Sequence, residues 1–117
     1  MLEIDASTSA MYLTKGDSAT INITLQGSTD GYSNLHFYVR NANNLDTVRI
    51  HISSDNTGES TKGNITGSGD SWTVHIAPEA TADMKRQKYV YDFKLTGSSN
   101  VTTFVGGGKN KTEFWVT

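Results

Sequence analysis

Apolar and polar residues alternate most regularly between residues 87 and 96. The apolar positions are Tyr89, Tyr91, Phe93 and Leu95, and the residues between them are mostly charged. This period of two predicts a strand with one buried face and one face toward solvent. Because an isolated strand or hairpin is marginal in water, a second apolar layer must cover the aromatic face of this strand.

Similar alternation recurs along the chain and supplies that second layer. The residues expected to point inward are Ala19, Ile21, Ile23 and Leu25, then Leu35, Phe37 and Val39, then Val48, Ile50 and Ile52, then Trp72, Val74 and Ile76. Shorter extended segments are expected at residues 11–13, 101–105 and 112–116. Together with residues 87–96, these segments amount to seven or eight short strands.

The segments between the predicted strands are polar or rich in glycine. Residues 53–71 contain a single large apolar side chain, Ile65, and we expect a long exposed loop with a short edge strand around residues 64–66. Pro78 stands at a possible first helical position, so one or two helical turns are expected between Pro78 and Met84. The three glycines at 106–108 predict a bulge or corner before the last strand.

This spacing of strands predicts an all-β fold, an immunoglobulin-like β-sandwich with one short helical connector. The 117 residues suit one domain, which we place at residues 11–117, with residues 1–10 as a flexible arm or edge strand. The chain has no cysteine, so the disulfide of antibody domains is excluded. A small barrel is the alternative architecture.

Charge and hydropathy argue against nucleic-acid and membrane partners. The net charge is −2 and the pI is about 5.8, whereas a grip on the phosphate backbone needs clustered Lys and Arg. The sequence shows no secretory signal pattern and no apolar stretch of membrane-spanning length. We therefore expect a soluble protein.

The candidate catalytic and metal-binding residues lack the spacing that such sites need. His36, His51 and His75 each fall at an outward strand position, but nothing in their spacing supports a zinc site. Residues 55–59 superficially resemble a calcium loop without its alternating ligands. No nucleophile elbow or phosphate-binding glycine loop occurs. We expect no enzymatic activity, no catalytic residues, no cofactor and no metal.

The C-terminal strand is the best candidate for an interaction surface. Trp72 is in phase with Val74 and is assigned to the core. Phe114, Trp115 and Val116 are consecutive and cannot all point into one core, because successive side chains of a strand alternate between its faces. At least one of these three residues must therefore be exposed or covered by a partner.

Four short motifs, in this order, resemble those of a known family. They are Leu-Thr-Lys-Gly-Asp at residues 13–17, Phe-Tyr-Val-Arg at 37–40, Pro-Glu-Ala-Thr-Ala at 78–82 and Tyr-Val-Tyr-Asp-Phe at 89–93. The chain resembles the immunoglobulin-like domain at the N-terminus of upper baseplate proteins of tailed phages, and related small phage or prophage tail proteins. The resemblance covers most of residues 11–116, with Lys15 where the family has Arg and Ala80 where it has an acidic residue.

The resemblance implies a non-enzymatic structural component of a phage or prophage particle that acts through protein–protein assembly. Its expected partners are other virion proteins, with homo-oligomer formation inside an assembly. Its expected location is the tail or baseplate of the virion, after synthesis in the cytoplasm of the bacterial host. The alternative is a carbohydrate- or surface-binding β-sandwich module, in which an exposed ring such as Trp115 stacks on a sugar.

Overall fold

The computed structural model describes residues 2–5, 9–25, 29–55, 57–105 and 112–117, with only the backbone for residues 102–105. Ten strands run through these residues. They are β1 (Leu2–Ile4), β2 (Met11–Leu13), β3 (Ala19–Thr24), β4 (Asn34–Asn41), β5 (Asn44–Ser53), β6 (Gly63–Ser68), β7 (Ser71–Ile76), β8 (Lys88–Thr96), β9 (Val101–Val105) and β10 (Thr112–Val116). The predicted bulge at residues 106–108 lies outside the described residues.

The larger sheet is arranged around β8, the strand with the most regular alternation. Its strand order is β1-β2-β10-β8-β4-β5, and β9 also pairs with β8. β9 pairs with residues 93–96 of β8, and β10 pairs with residues 88–91. These two short strands therefore follow one another along the same edge of β8. All pairings in this sheet are antiparallel except that of β2 with β10.

The smaller sheet has the order β3-β7-β6, with both pairings antiparallel. β6 and β7 form a hairpin in which Ser68 faces Ser71 and Gly69 and Asp70 form the turn. Residues 63–68, which fall in the predicted loop, are thus a full edge strand. The prediction missed its length because Ile65 is the only buried residue of β6, so the hydrophobic pattern there is weak.

The core lies between the two sheets and confirms the predicted phase of the main strands. Phe37, Val39, Ile50 and Val74 have no exposed surface, and Phe93 is 3% exposed. Other fully buried side chains, from these strands and from β2, β10 and the connector, complete the core: Leu13, Leu35, Ile52, Ile76, Met84, Tyr89, Phe114 and Val116. Ile23 and Leu25 are only half-buried and pack at the margin of the core.

The two packed sheets confirm the prediction of an all-β sandwich. The strand order within each sheet is that of an immunoglobulin-like fold. The three-stranded sheet, β3-β7-β6, faces the larger sheet, which contains the last strand of the chain, β10. The described residues form ten strands rather than the seven or eight expected. The edge strands β1 and β6 have weak hydrophobic patterns, and two short strands, β9 and β10, share one edge of β8.

One local expectation was wrong: Val48, predicted to point inward, is 39% exposed because it lies near the start of β5, where the pairing with β4 is irregular. The connector after Pro78 is a single 3₁₀ turn, Pro78–Ala80, at the short end of the one or two helical turns expected. Ala80 and Met84 are both buried, so the connector is anchored to the core as expected.

Candidate functional site

The outer face of the larger sheet carries the aromatic and charged side chains that the core does not use. Across four neighbouring strands, β1, β2, β10 and β8, the cross-strand pairs are Glu3 with Tyr12, Tyr12 with Trp115, and Trp115 with Lys88. Paired residues in a sheet project from the same face. Glu3, Tyr12, Trp115 and Lys88 therefore form one row across this face, which we call the edge row.

The two rings at the centre of the edge row are stacked on each other. The centroids of Tyr12 and Trp115 lie 6.3 Å apart, with their planes at 11°, and both side chains are half-buried. Trp115 Nε1 donates a hydrogen bond of 3.1 Å to Glu113 Oε1. Lys88 Nζ lies 3.7 Å from the other carboxylate oxygen of Glu113. The stack on Tyr12 and the hydrogen bond to Glu113 restrict the Trp115 ring, which stays half-buried.

The structure narrows the interaction candidates of the C-terminal strand from three residues to one. Phe114 has no exposed surface, and Val116 is 2% exposed, because both point between the sheets. Phe114 contacts the ring of Phe37 there, at a centroid distance of 6.2 Å. Of the three residues, Trp115 is therefore the one whose half-buried side chain lies on the outer face of the sheet.

A second group of rings, the histidine cluster, occupies the same outer face on β4 and β5. It consists of His36, Tyr38 and His51. The rings of Tyr38 and His51 stack at a centroid distance of 4.3 Å, and those of His36 and His51 at 5.3 Å. His36 Nδ1 and His51 Nε2 are 3.0 Å apart, within hydrogen-bond distance, while His36 Nε2 lies 3.1 Å from Thr96 Oγ1.

Charged side chains from β4 and β8 surround Tyr38. The guanidinium of Arg40 lies 4.7 Å from the ring centroid, and Lys94 Nζ lies 5.3 Å from it. Arg40 also donates a hydrogen bond of 3.1 Å from Nε to Asp92 Oδ1. Asp92 lies on the outer face of β8 but is only 5% exposed, because the neighbouring side chains cover it.

Burial lowers the pKa of both histidines in the cluster. For His36, Asp55 opposes this effect and Lys94 adds to it. For His51, the nearby His36 ring lowers the pKa further. Protonating both rings would place two positive charges on nitrogen atoms 3.0 Å apart. At the same pH, the rings of His36 and His51 therefore carry fewer protons than two free histidines would.

Asp55 closes the histidine cluster at the end of β5 and is strongly acidic. Burial raises its pKa, but hydrogen bonds from Thr57 and Ser53, together with the nearby His36, outweigh this and bring the pKa to about 2. Asp55 Oδ2 lies 3.6 Å from His36 Nε2. Beside it is a small polar cavity of about 200 Å³, lined by Ser53, Asp55, Gly58, Ser60, Gly63 and Asn64.

The three histidines do not form one site. His36 and His51 are neighbours, but His75 is exposed on β7 of the other sheet, where its Nδ1 lies 3.3 Å from Thr20 Oγ1. Among the residues that the structure describes, no group of three or more His, Cys, Asp or Glu side chains is placed to hold a metal ion. The contact between His36 and His51 was not predicted, because the alternation within each strand does not show which strands adjoin.

Within the described ranges, no helix is long and apolar enough to cross a membrane. Neither a protein-family model nor a curated protein matches this chain. Among the described residues, the edge row and the histidine cluster on the outer face of the larger sheet are the candidate functional surfaces.

Proposed function

We propose that this domain is a non-enzymatic structural component of a phage or prophage particle, of the tail or baseplate type, and that it acts through protein–protein assembly. One observation carries the proposal: Tyr12 and Trp115 form a stacked, half-buried pair on the outer face of the larger sheet. The four motifs that resemble phage baseplate domains supply the biological setting. The proposed location is the virion, after synthesis in the host cytoplasm.

The Trp115 surface has the physical properties of an interface anchor. The ring is held by its stack on Tyr12 and by its hydrogen bond to Glu113, so a partner would restrict few additional side-chain rotations. Covering its remaining apolar surface would contribute about 1.5 to 3 kcal/mol by area alone. Tryptophan and tyrosine are enriched among the residues that dominate interface energies. The rings of Tyr12 and Trp115 can thus contribute to the affinity for a partner, and this role requires no catalytic group.

The test compares wild-type protein with Trp115→Ser and Trp115→Glu by light scattering over a concentration series, alone and mixed with the products of the neighbouring genes. Both substitutions should weaken assembly, the charged one more strongly, while the circular dichroism spectrum stays that of the wild type. Val101→Ser is the matched control, because Val101 is 69% exposed elsewhere on the same sheet.

Assembly that survives both Trp115 substitutions unchanged would overturn the role of this surface. A wild-type protein that remains monomeric and ignores the neighbouring gene products would overturn assembly as the function. Equal weakening by Val101→Ser would show that the loss is not specific to the Trp115 surface.

Carbohydrate binding is the second candidate, and the same pair of rings favours it. Both rings lie half-buried on the outer face of the sheet, and aromatic rings at a surface can stack on the apolar faces of sugars. Titration calorimetry against a panel of bacterial cell-wall sugars, with wild-type protein and Trp115→Ser, separates the two functions. A strict monomer that binds a glycan, and loses it with Trp115→Ser, would establish this alternative in place of assembly.

A further inference from the structure

The edge row has a distinctive order of charges. A carboxylate, Glu3, stands at one end, an ammonium, Lys88, stands at the other, and the rings of Tyr12 and Trp115 lie between them. Neighbouring strands are about 4.8 Å apart, so the four positions span about 14 Å. Glu3 and Lys88 are both exposed, and so both can reach a second molecule.

This order is self-complementary under a two-fold rotation. Consider an axis that runs parallel to the strands, in front of the sheet and midway between Tyr12 and Trp115. Rotation by 180° about it brings a second copy face to face with the row reversed. Glu3 then faces Lys88 of the second copy, and Tyr12 faces Trp115 of the second copy. A two-fold interface requires one patch that complements itself, and the edge row meets that requirement.

We propose that two copies of this chain pair through their edge rows about such an axis, with two Glu3–Lys88 ion pairs around a centre of four aromatic rings. The inference rests on the proposed assembly function and adds to it the identity of one partner, a second copy, and its orientation. The arrangement puts apolar rings at the centre of the contact and charges at its rim, as in protein interfaces generally.

The neighbouring positions on the same face fit this pairing. Just outside the ends of β2 and β10, the positions two residues from the row on one side are Thr14 and Thr117; on the other side they are Ala10, which is 2% exposed, and Glu113 of β10. After rotation, Thr14 faces Thr117 and Ala10 faces Glu113, so no two like charges meet at these positions. The accessible surface of Thr14, Thr117 and Glu113 extends the contact toward the area of about 800 Å² per partner that a stable interface buries.

Among the described residues, Lys88 forms an ion pair with Glu113, and that contact is weak enough to leave Lys88 available. Its distance to Glu113 is 3.7 Å, with both side chains nearly half exposed. Exposed ion pairs of this kind contribute little, because water and salt screen them. Burying Lys88 between Glu3 of the second copy and its own Glu113 would place one cation between two carboxylates.

Charge reversal tests the pairing directly. Sedimentation equilibrium gives the dissociation constant of the wild-type dimer and of the variants Glu3→Lys and Lys88→Glu. Each single variant creates two like-charge contacts in its own dimer, and we expect each to raise the dissociation constant by about tenfold or more. Glu79→Lys, which makes the same charge change on the exposed 3₁₀ turn, should leave the constant unchanged.

Mixing the two single variants is the decisive experiment. A chain with Glu3→Lys and a chain with Lys88→Glu are complementary at both ion pairs, so a 1:1 mixture should form a heterodimer at concentrations where neither variant dimerises alone. The double variant, with both reversals in one chain, should regain a homodimer. Failure of the heterodimer or of the double variant to recover binding would overturn the pairing.

The outcome also separates this inference from the proposed function. If Trp115→Ser weakens assembly but the charge reversals do not, assembly through Trp115 stands and the two-fold pairing is overturned. If the wild type remains monomeric yet binds a neighbouring gene product through Trp115, the second copy is not the partner, although the assembly function holds. If neither kind of variant changes assembly, both proposals fail.

Discussion

At the scale of single residues, Phe93 shows how the aromatic rings of the core contact one another. Phe93 is 3% exposed, and its ring centroid lies 4.9 Å from that of Phe37 and 5.8 Å from that of Tyr91. Rings at such distances, tilted or edge to face, are a favourable arrangement of aromatic quadrupoles. A truncation here therefore removes both buried area and specific ring contacts.

Replacing Phe93 by Ala should lower the free energy of unfolding by about 3 to 5 kcal/mol, through lost transfer energy and the cavity that remains. Urea denaturation followed by circular dichroism measures the loss. Val101→Ala is the control, since a side chain that is 69% exposed should cost less than about 0.5 kcal/mol. A Phe93→Ala protein within about 1 kcal/mol of wild type would contradict the burial of this ring.

Gly63 gives a second residue-scale prediction, because a side chain there would meet the neighbouring strand. Its φ is +150°, and a Cβ would collide with the backbone carbonyl oxygen of His75 on β7. Gly63→Ala should cost about 2 kcal/mol or more, since either the β6–β7 pairing or the backbone must shift. Gly69→Ala, at a φ of +61° with open space around it, should cost only about 1 kcal/mol. Equal effects in urea denaturation would contradict the collision.

At the scale of elements, the pairing of β4 with β5 decides the histidine cluster. The turn at Ala42 and Asn43 closes the hairpin with Asn41 opposite Asn44. A regular hairpin continued from that pair would place Thr47 opposite Tyr38. Register shifts beside Arg40 instead bring His51 opposite Tyr38, and the same shifts bring His51 within hydrogen-bond distance of His36.

The histidine cluster should make stability depend on pH. Both histidines have a pKa below the ordinary 6.5, so as the pH falls through 6.5 the unfolded chain takes up protons before the folded protein does. The free energy of unfolding should therefore fall with decreasing pH below about 6.5. Asp55, with a pKa of about 2 against 3.8, adds a further loss as the pH falls from 3.8 toward 2.

Urea denaturation between pH 7 and pH 5 tests the histidine part of this dependence. The double variant His36→Gln, His51→Gln should show a shallower slope of stability against pH than the wild type, whatever its stability at neutral pH. His75→Gln, which removes an imidazole from the other sheet, should keep the wild-type slope. A wild-type slope in the double variant would contradict the coupling between the cluster and folding.

At the scale of the whole molecule, the two sheets depend on one shared core. Trp72 is buried on β7 of the smaller sheet, and Trp115 lies on β10 of the larger sheet. Side chains from both sheets belong to a single hydrophobic cluster. Neither sheet has another apolar layer among the described residues to cover its inner face, so the sheets should unfold together.

Each tryptophan can report on its own sheet. Trp72→Phe leaves Trp115 as the only tryptophan, and Trp115→Phe leaves Trp72. In each variant, the fluorescence and circular dichroism curves in urea should have the same midpoint, because loss of one sheet exposes the core face of the other. Because both curves come from one protein, any destabilisation by the substitution affects them equally. Separate midpoints would show that the sheets unfold independently.

The sequence predicted most of the fold because its strongest patterns belong to strands with a large buried face. In β4, β7 and β8 the inward positions follow from alternation alone, and the structure buries those side chains. The weak cases have a physical cause. β6 has one buried residue, and Val48 lies where β5 is out of regular register, so local alternation carries little information there.

The sequence by itself determined that the protein is a two-layer β fold, because period-two alternation can be satisfied only when a second layer covers the apolar face. It also determined that Phe114, Trp115 and Val116 could not share one core. Only the tertiary structure decided that Trp115 is the one on the outer face and that Glu3, Tyr12 and Lys88 lie beside it. The reason is that strand order and register bring together residues far apart in the chain, and alternation within one strand does not specify its neighbours.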